Sequence, residues 1–231
     1  MIGKKILVVE DNPEIRQLLE NIFQKAGANI HLAVDGSDGI RKFFLEKPAL
    51  VLLDVMMPEM DGFETCKRIR QVSTVPVIML TSLNNDDEII RGLESGADDF
   101  ITKPFSANVL VARAKALLRR FELPPETKTE LLYSDDHLII DLEKRVVEVQ
   151  GNSIKLTRTE YNLLAYLVQN VGWIRTFEQI LETVWGPEYQ GSIDYIHVYI
   201  SNLRRKIEVD PKNPQYLESE HGVGYRFNAK T

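Results

Sequence analysis

The sequence predicts two domains of different class, an α/β domain with a doubly wound parallel sheet and then an α+β domain. Three observations carry this. The first half alternates short apolar runs with amphipathic helical segments, five times over. Adjacent prolines, Pro124 and Pro125, stand in a polar stretch that cannot continue a helix. Beyond them the rhythm changes to short strand–turn–strand segments, then helices opening on capping boxes.

Taken in order, Lys5 to Val9 reads as a strand and Pro13 to Ala26 as a helix, with Ile15, Leu18, Leu19, Ile22 and Phe23 at helical spacing and Gly27 as its stop. Ile30 to Ala33 is the second strand and Ser37 to Glu46 the second helix. Leu50 to Leu53 is a buried strand ending in Asp54, after which Pro58 and Gly62 break the chain before a helix from Gly62 to Arg70. Val75 to Leu80, a helix from Asp86 to Ser95, the short strand Phe100 to Ile101 and a helix from Ser106 to Arg120 complete five βα units. Such units form a parallel sheet covered on both faces by right-handed crossovers.

Composition narrows the class of partner. With 231 residues, 44% hydrophobic and 27% charged, the chain has the makings of two well-cored globular domains. No apolar run approaches the length of a membrane span, and Lys4 and Lys5 lead straight into a strand, so no membrane and a cytoplasmic location are expected. The lone Cys66 excludes an internal disulfide, fits a reducing compartment and reads as a helix packing residue. A net charge of −6 argues against a globally basic nucleic-acid binder, so any DNA contact must come from a local patch.

Polar residues gather at one end of the predicted strands. Glu10 and Asp11 end the first, Asp54 the third, Thr81 the fourth and Lys103, before Pro104, the fifth. Ligands of open α/β sheets sit at that edge. Taken alone, Asp54 reads more readily as a turn cap and Glu10 and Asp11 as part of a helix cap, while Thr81 could be a cap and Lys103 a surface turn. Together, three carboxylates raise one another's pKa unless a cation neutralises them, and an all-oxygen set suits Mg²⁺. A cation there with the Lys103 ammonium attracts a phosphoryl group, for which Asp54 is the candidate acceptor and the Thr81 hydroxyl a candidate donor.

These residues lie in Val8-Val-Glu-Asp11, Leu52-Leu-Asp-Val-Met-Met-Pro-Glu-Met-Asp-Gly62, Met79-Leu-Thr-Ser82 and Gly96-Ala-Asp-Asp-Phe-Ile-Thr-Lys-Pro-Phe105. With those motifs, residues 3 to 121 resemble the receiver domain of two-component response regulators. The resemblance implies a flavodoxin-like, five-stranded doubly wound sheet and phosphorylation of Asp54 by a sensor histidine kinase. It implies Mg²⁺ held by Asp11, Asp54 and the Met56 main-chain carbonyl, with Glu10 mostly through water. Thr81 and Phe100 would form the switch; relatives usually carry Tyr at the latter position.

The second half reads as an antiparallel meander, Leu138 to Asp141, Arg145 to Val149 and Ser153 to Leu156, then helices capped at Thr157 and Thr176. A third helix, Ser192 to Glu208, and a hairpin from Tyr216 to Asn228 turning through Gly222 follow. Ile193, Ile196, Ile200, Leu203 and Ile207 form an apolar stripe on that helix, leaving Tyr199, Ser201, Asn202, Arg204, Arg205 and Lys206 for other faces. A polar, basic second helix of this kind can enter a DNA major groove. Charge alone favours a solvated helix end, since Leu131 to Thr231 holds 11 basic and 14 acidic residues, a net −3.

The order of elements, with Leu156-Thr-Arg-Thr-Glu-Tyr-Asn-Leu-Leu164, Val184-Trp-Gly186, His197-Val-Tyr-Ile-Ser-Asn-Leu-Arg-Arg-Lys-Ile207 and Gly222-Val-Gly-Tyr-Arg-Phe227, resembles the OmpR/PhoB-type winged-helix domain. That implies a recognition helix at Ile193 to Glu208, a wing with His221 at its tip, and a loop at Trp185 to Gly191 available to RNA polymerase. Asn202 and His221 stand where relatives often place Arg. For the receiver the resemblance implies a homodimer on activation, with Asp98 and Arg113, and Asp99 and Arg120, matching pairs across the interface. Val109 replaces the acid that commonly meets Arg91.

The reading is thus a receiver at 1–121, a linker at 122–130 and a winged helix at 131–231, forming a phosphorylation-dependent transcriptional regulator rather than an enzyme. Phosphorylated Asp54 would favour a dimer that sets two effector domains on double-stranded promoter half-sites about ten base pairs apart. The rivals are a phosphorylation-independent regulator and a phospho-switched protein-binding module.

Overall fold

The computed structural model describes residues 1–82, 92, 95–122 and 132–230. The predicted helix from Asp86, the linker and Arg91 therefore lie outside the described residues, apart from Gly92, Ser95 and Glu122. The chain divides into two compact units, Met1–Glu122 and Leu123–Thr231.

In the first unit, strands β1 (Lys5–Val9), β2 (Asn29–Ala33), β3 (Leu50–Asp54), β4 (Val77–Thr81) and β5 (Asp99–Thr102) form one sheet in the order β2-β1-β3-β4-β5. Every pairing is parallel. Helices Pro13–Lys25, Gly36–Glu46, Gly62–Val72 and Ala107–Glu122 supply the crossovers. Ile6, Val8, Leu50, Leu52, Ile78 and Leu80 point to one face of the sheet and meet Leu19, Phe23, Leu110, Ala114 and Leu117 from the helices. Complete burial of each such side chain contributes about 1.5–3 kcal/mol, which makes β1, β3 and β4 a rigid centre. β3 is buried along its whole length, Asp54 included. This parallel, doubly covered sheet is the fold expected from the sequence.

Local signals set the helix starts that matter for the rim. Asn12 caps Pro13–Lys25 by accepting from the Glu14 and Ile15 N–H groups at 2.9 and 3.2 Å. Asp61 caps Gly62–Val72 through the Glu64 N–H at 2.7 Å.

The second unit begins with an antiparallel sheet β6-β7-β8-β9, formed by Leu132–Ser134, Leu138–Asp141, Val146–Val149 and Asn152–Ser153. Helices Arg158–Val168, Phe177–Val184 and Ile193–Ile207 follow, the first two opening on the predicted capping boxes. Strands β10 (Arg175–Thr176), β11 (Leu217–Glu220) and β12 (Gly224–Phe227) close a second sheet, ordered β10-β12-β11. Gly224 allows that closure, because a Cβ there would lie 1.8 Å from the Arg175 carbonyl oxygen. β6 and β10 have no counterpart in the sequence reading, being too short for a periodicity of their own.

Candidate metal centre and nucleic-acid interface

The parallel register places the ends of β1, β3, β4 and β5 on one rim: Val9 is level with Leu53, Asp54 with Leu80, and Thr81 with Thr102. Glu10 and Asp11 follow β1, and Lys103 follows β5. Asn12 supplies the helix cap, and the carboxylates of Glu10 and Asp11 reach the rim beside Asp54. Arg16 fixes the loop from below, its Nη1 donating to the Glu10 and Asp11 carbonyls at 2.7 and 3.1 Å.

Carboxylate oxygens of Glu10, Asp11 and Asp54 all lie within 4.8 Å of one another. Lys103 Nζ donates to Glu10 Oε2 at 2.7 Å and lies 2.9 Å from Asp54 Oδ1. Glu10 and Asp54 are only 1% and 4% exposed, whereas Asp11 is open to solvent. Burial pushes both buried carboxyls above the usual range, the Asp54 charge adding to the shift of Glu10 and the Asp11 charge to that of Asp54, while Lys103 opposes the rise. A hard divalent ion suits this set: three carboxylates with oxygen donors only, two held in place by burial and one facing water.

The acceptor strand is tied down on both sides. Val55 N–H donates to the Leu80 carbonyl at 2.9 Å and Gly62 N–H to the Val55 carbonyl at 3.0 Å. A Cβ at Gly62 would meet the Asp54 carbonyl oxygen at 2.2 Å, so this position accepts no side chain without moving the rim. Met56 lies in the loop between, its side chain exposed. Thr81 is fully buried at the end of β4. Phe100 is buried too, and its ring closes on Gly92, where a Cβ would approach to 2.9 Å.

In the second unit, the helix Ile193–Ile207 buries a broader arc than the stripe read from sequence. Tyr199 is 1% exposed and packs on Trp185 with ring centroids 5.3 Å apart, and Asn202 is 8% exposed. Both are corrected from groove-facing to inward residues: the helix is packed by Arg158–Val168 and Phe177–Val184 together, so two adjacent stripes are buried. Ile193, placed on the buried stripe, is instead exposed at the helix start. Lys206 is partly withdrawn by Glu160, which it meets at 2.7 Å. Arg204 donates to the Leu217 carbonyl and to Ser219 Oγ, and Arg205 is exposed. His221 is exposed at the tip of the β11–β12 hairpin.

The outward face thus carries Asp194, His197, Ser201 and Arg205, three and four residues apart. His197 is absent from the residues singled out by sequence, although that spacing with Ser201 and Arg205 was there to be read. With Ser201, Arg204, Arg205 and Lys212 it lines an open cleft of about 410 Å³.

Residues 6–115 match the model of the response regulator receiver domain, and residues 151–227 that of the transcriptional regulatory protein C-terminal domain. Response regulator DrrB of Thermotoga maritima, an OmpR/PhoB homologue, is 34% identical over 99% of this chain and 100% of its own, with a TM-score of 0.50. The chain belongs to the OmpR/PhoB family of response regulators. A mutant form of RitR is 28% identical over 97% of this chain and 99% of its own, with a TM-score of 0.74. A two-component response regulator of Clostridium difficile is 35% identical over 52% of this chain and 100% of its own, with a TM-score of 0.51.

As an OmpR/PhoB-type regulator, the chain joins a receiver domain to a DNA-binding effector domain, the composition of a two-component transcription factor. No helix among the described residues is long and apolar enough to cross a membrane. The acids that the family resemblance assigned to a second chain are engaged within this one. Asp98, 1% exposed, accepts from Arg70 Nη2 at 2.6 Å and from the Val77 N–H at 3.0 Å. Within the chain, Arg113 pairs with Asp99 at 3.1 Å. Arg120 is half-buried and Val109 exposed on the same helix. In the loop from Trp185 to Gly191, Trp185 and Tyr189 are buried, so Pro187, Gln190 and Gly191 form its accessible part.

Proposed function

We propose that this response regulator controls transcription by accepting a phosphoryl group on Asp54 from a phosphohistidine of a partner sensor kinase. An Asp54 oxygen attacks phosphorus, the P–N bond breaks with its electron pair on the departing imidazole, and an acyl phosphate remains. The observation that carries the reading is Lys103 set 2.9 Å from Asp54 Oδ1 inside a cluster of two further carboxylates. Lys103 holds its charge where an equatorial phosphoryl oxygen comes to rest, and Thr81 offers a hydroxyl from the adjoining strand.

Glu10, Asp11, Asp54 and the Met56 main-chain carbonyl are the groups that would hold Mg²⁺, which when bound neutralises the crowded carboxylates and draws phosphoryl oxygens toward Asp54. The chain has no separate substrate on this reading; it takes up and slowly loses its own phosphoryl group. Phosphorylation then draws Thr81 toward the new oxygens and biases Phe100, shifting a pre-existing equilibrium toward a receiver homodimer. The dimer places two effector domains on promoter DNA, where RNA polymerase meets the Pro187–Gly191 loop.

The test is phosphoryl uptake from acetyl phosphate with Mg²⁺, followed by mass spectrometry and promoter binding. The wild-type chain gains one phosphoryl group and binds more tightly; Asp54→Asn gains none. Equal promoter affinity with and without beryllofluoride would leave a regulator that does not depend on phosphorylation.

A further inference from the structure

Arg16 stands at the close of the first turn of the helix Pro13–Lys25, where the positive end of the helix dipole opposes a cation. Glu20, its ordinary partner one turn along, is taken by Gln17 at 2.8 Å and by Gln24 at 3.0 Å. A helical side chain leans back toward the N-terminus, and the half-buried Arg16 follows that lean into the loop after β1. There one nitrogen, Nη1, donates to the Glu10 carbonyl at 2.7 Å and to the Asp11 carbonyl at 3.1 Å. A guanidinium shared between two successive carbonyls fixes both peptide planes, and with them the directions in which the two side chains leave the main chain.

The three rim carboxylates are not equally held. Glu10 Oε2 meets Lys103 at 2.7 Å and its Oε1 accepts from the Asn12 N–H at 3.4 Å. Asp54 lies 2.9 Å from the same ammonium and ends a fully buried strand. Asp11 has no such support: it is exposed, and among the described residues its carboxylate accepts no hydrogen bond and joins no ion pair. One of its oxygens nonetheless lies within 4.8 Å of a carboxylate oxygen of each of the other two, a range at which like charges repel. Its place must therefore come from the main chain. That main chain is held by the Asp11 carbonyl to Arg16 and by Asn12, whose own carbonyl accepts from the Arg16 N–H at 2.9 Å.

We infer that Arg16 is a positioning residue for the divalent ion, holding the Asp11 carboxylate in place for it through the main chain. Its guanidinium acts on backbone oxygens and is neither a ligand nor a contact of the phosphoryl group. The inference rests on the reading of Glu10, Asp11 and Asp54 as the Mg²⁺ carboxylates. Groups that orient a ligand from outside the coordination sphere change metal affinity about 10- to 100-fold. A loop that keeps Asp11 in place for only about one tenth of the time weakens binding about tenfold, and a saturating concentration of ion restores the ordered loop. Arg16 thus sets how much Mg²⁺ phosphoryl uptake requires, while Asp54, Lys103 and Thr81 set how fast it runs once the ion is bound.

The test uses the full chain with Arg16→Met, which keeps the apolar stem, and Arg16→Lys, which keeps a donor on a shorter one. Mg²⁺ binding is measured by calorimetric titration, and uptake from acetyl phosphate by mass spectrometry over a series of Mg²⁺ concentrations. Arg16→Met is expected to bind Mg²⁺ about 10-fold more weakly and to need about 10-fold more of it for half-maximal uptake, with the rate at saturation unchanged. Arg16→Lys falls between Arg16→Met and the wild-type chain. Urea unfolding in EDTA separates a loss of fold from a loss of ligand placement; should Arg16→Met unfold, Arg16→Lys decides by the same titration. Mg²⁺ affinity equal to that of the wild-type chain in the variant that decides, or a slower maximal rate at an unchanged Mg²⁺ requirement, overturns the inference while leaving the phosphoryl-acceptor reading intact. A wild-type chain that binds no Mg²⁺ and takes up no phosphoryl group overturns that reading, and the inference with it.

Discussion

Lys103 Nζ and Glu10 Oε2 meet at 2.7 Å although 93 residues separate them, and the same ammonium reaches Asp54. One cation holding two nearly buried carboxylates makes the rim ready for anionic chemistry and costly to break. Replacing Lys103 with Met is expected to slow phosphoryl uptake from acetyl phosphate about 100-fold, the scale on which one preorganised donor acts. Without divalent ions it also lowers stability by about 3 kcal/mol, because Glu10 loses its buried partner. Urea unfolding and uptake kinetics on the same variant separate the two effects.

Magnesium should stabilise the receiver in proportion to its occupancy. At a concentration 100 times the dissociation constant, linkage gives about 2.7 kcal/mol, removed by EDTA. The double change Asp11→Asn and Asp54→Asn abolishes the increment in calorimetric titration. A stabilisation by Mg²⁺ that survives in the double variant would place the ion elsewhere.

Gly62 is a steric requirement of the rim. Its added Cβ would stand 2.2 Å from the Asp54 carbonyl oxygen, a backbone atom that cannot swing aside. Gly62→Ala is expected to cost about 3 kcal/mol and to displace Asp54, so uptake falls with stability. Melting curves at wild-type values would remove the argument.

Asp135 gives the second unit its acid sensitivity. Burial by itself raises this carboxyl, but hydrogen bonds from Tyr133 Oη, the Leu138 and His137 N–H groups and Tyr216 Oη outweigh it and hold the pKa at about 2. A depressed carboxylate adds stability above its unfolded pKa of about 3.9, lost as pH falls through about 2. Asp135→Asn should flatten the decline between about pH 4 and 2, and at neutral pH cost about 1–2 kcal/mol, kept low by partial exposure. Urea midpoints across that range provide the comparison.

Tyr199 is a packing residue in spite of its place in the recognition helix. Tyr199→Ala should destabilise the second unit by about 3–5 kcal/mol through loss of its contact with Trp185. Tyr199→Phe should leave the salt slope of DNA binding as it is; a drop of about one phosphate contact would mean the hydroxyl reaches the backbone.

The sequence by itself determined the rim and the two folds. An apolar run at strand length, ended by Asp54 or Lys103, fixes which end of the strand bears the polar group, and five such units in parallel bring those ends together. Capping boxes at Thr157 and Thr176 fixed two helix starts in the same local way. Tertiary structure alone decided which arc of the recognition helix faces water and which cation each acid takes. A periodicity of 3.6 names a stripe but not its width, and two packing helices widened it over Tyr199 and Asn202, leaving His197 outside. Asp98 chose Arg70, 28 residues away, because helix Gly62–Val72 and the start of β5 converge in space, a distance that neighbours in the chain do not encode.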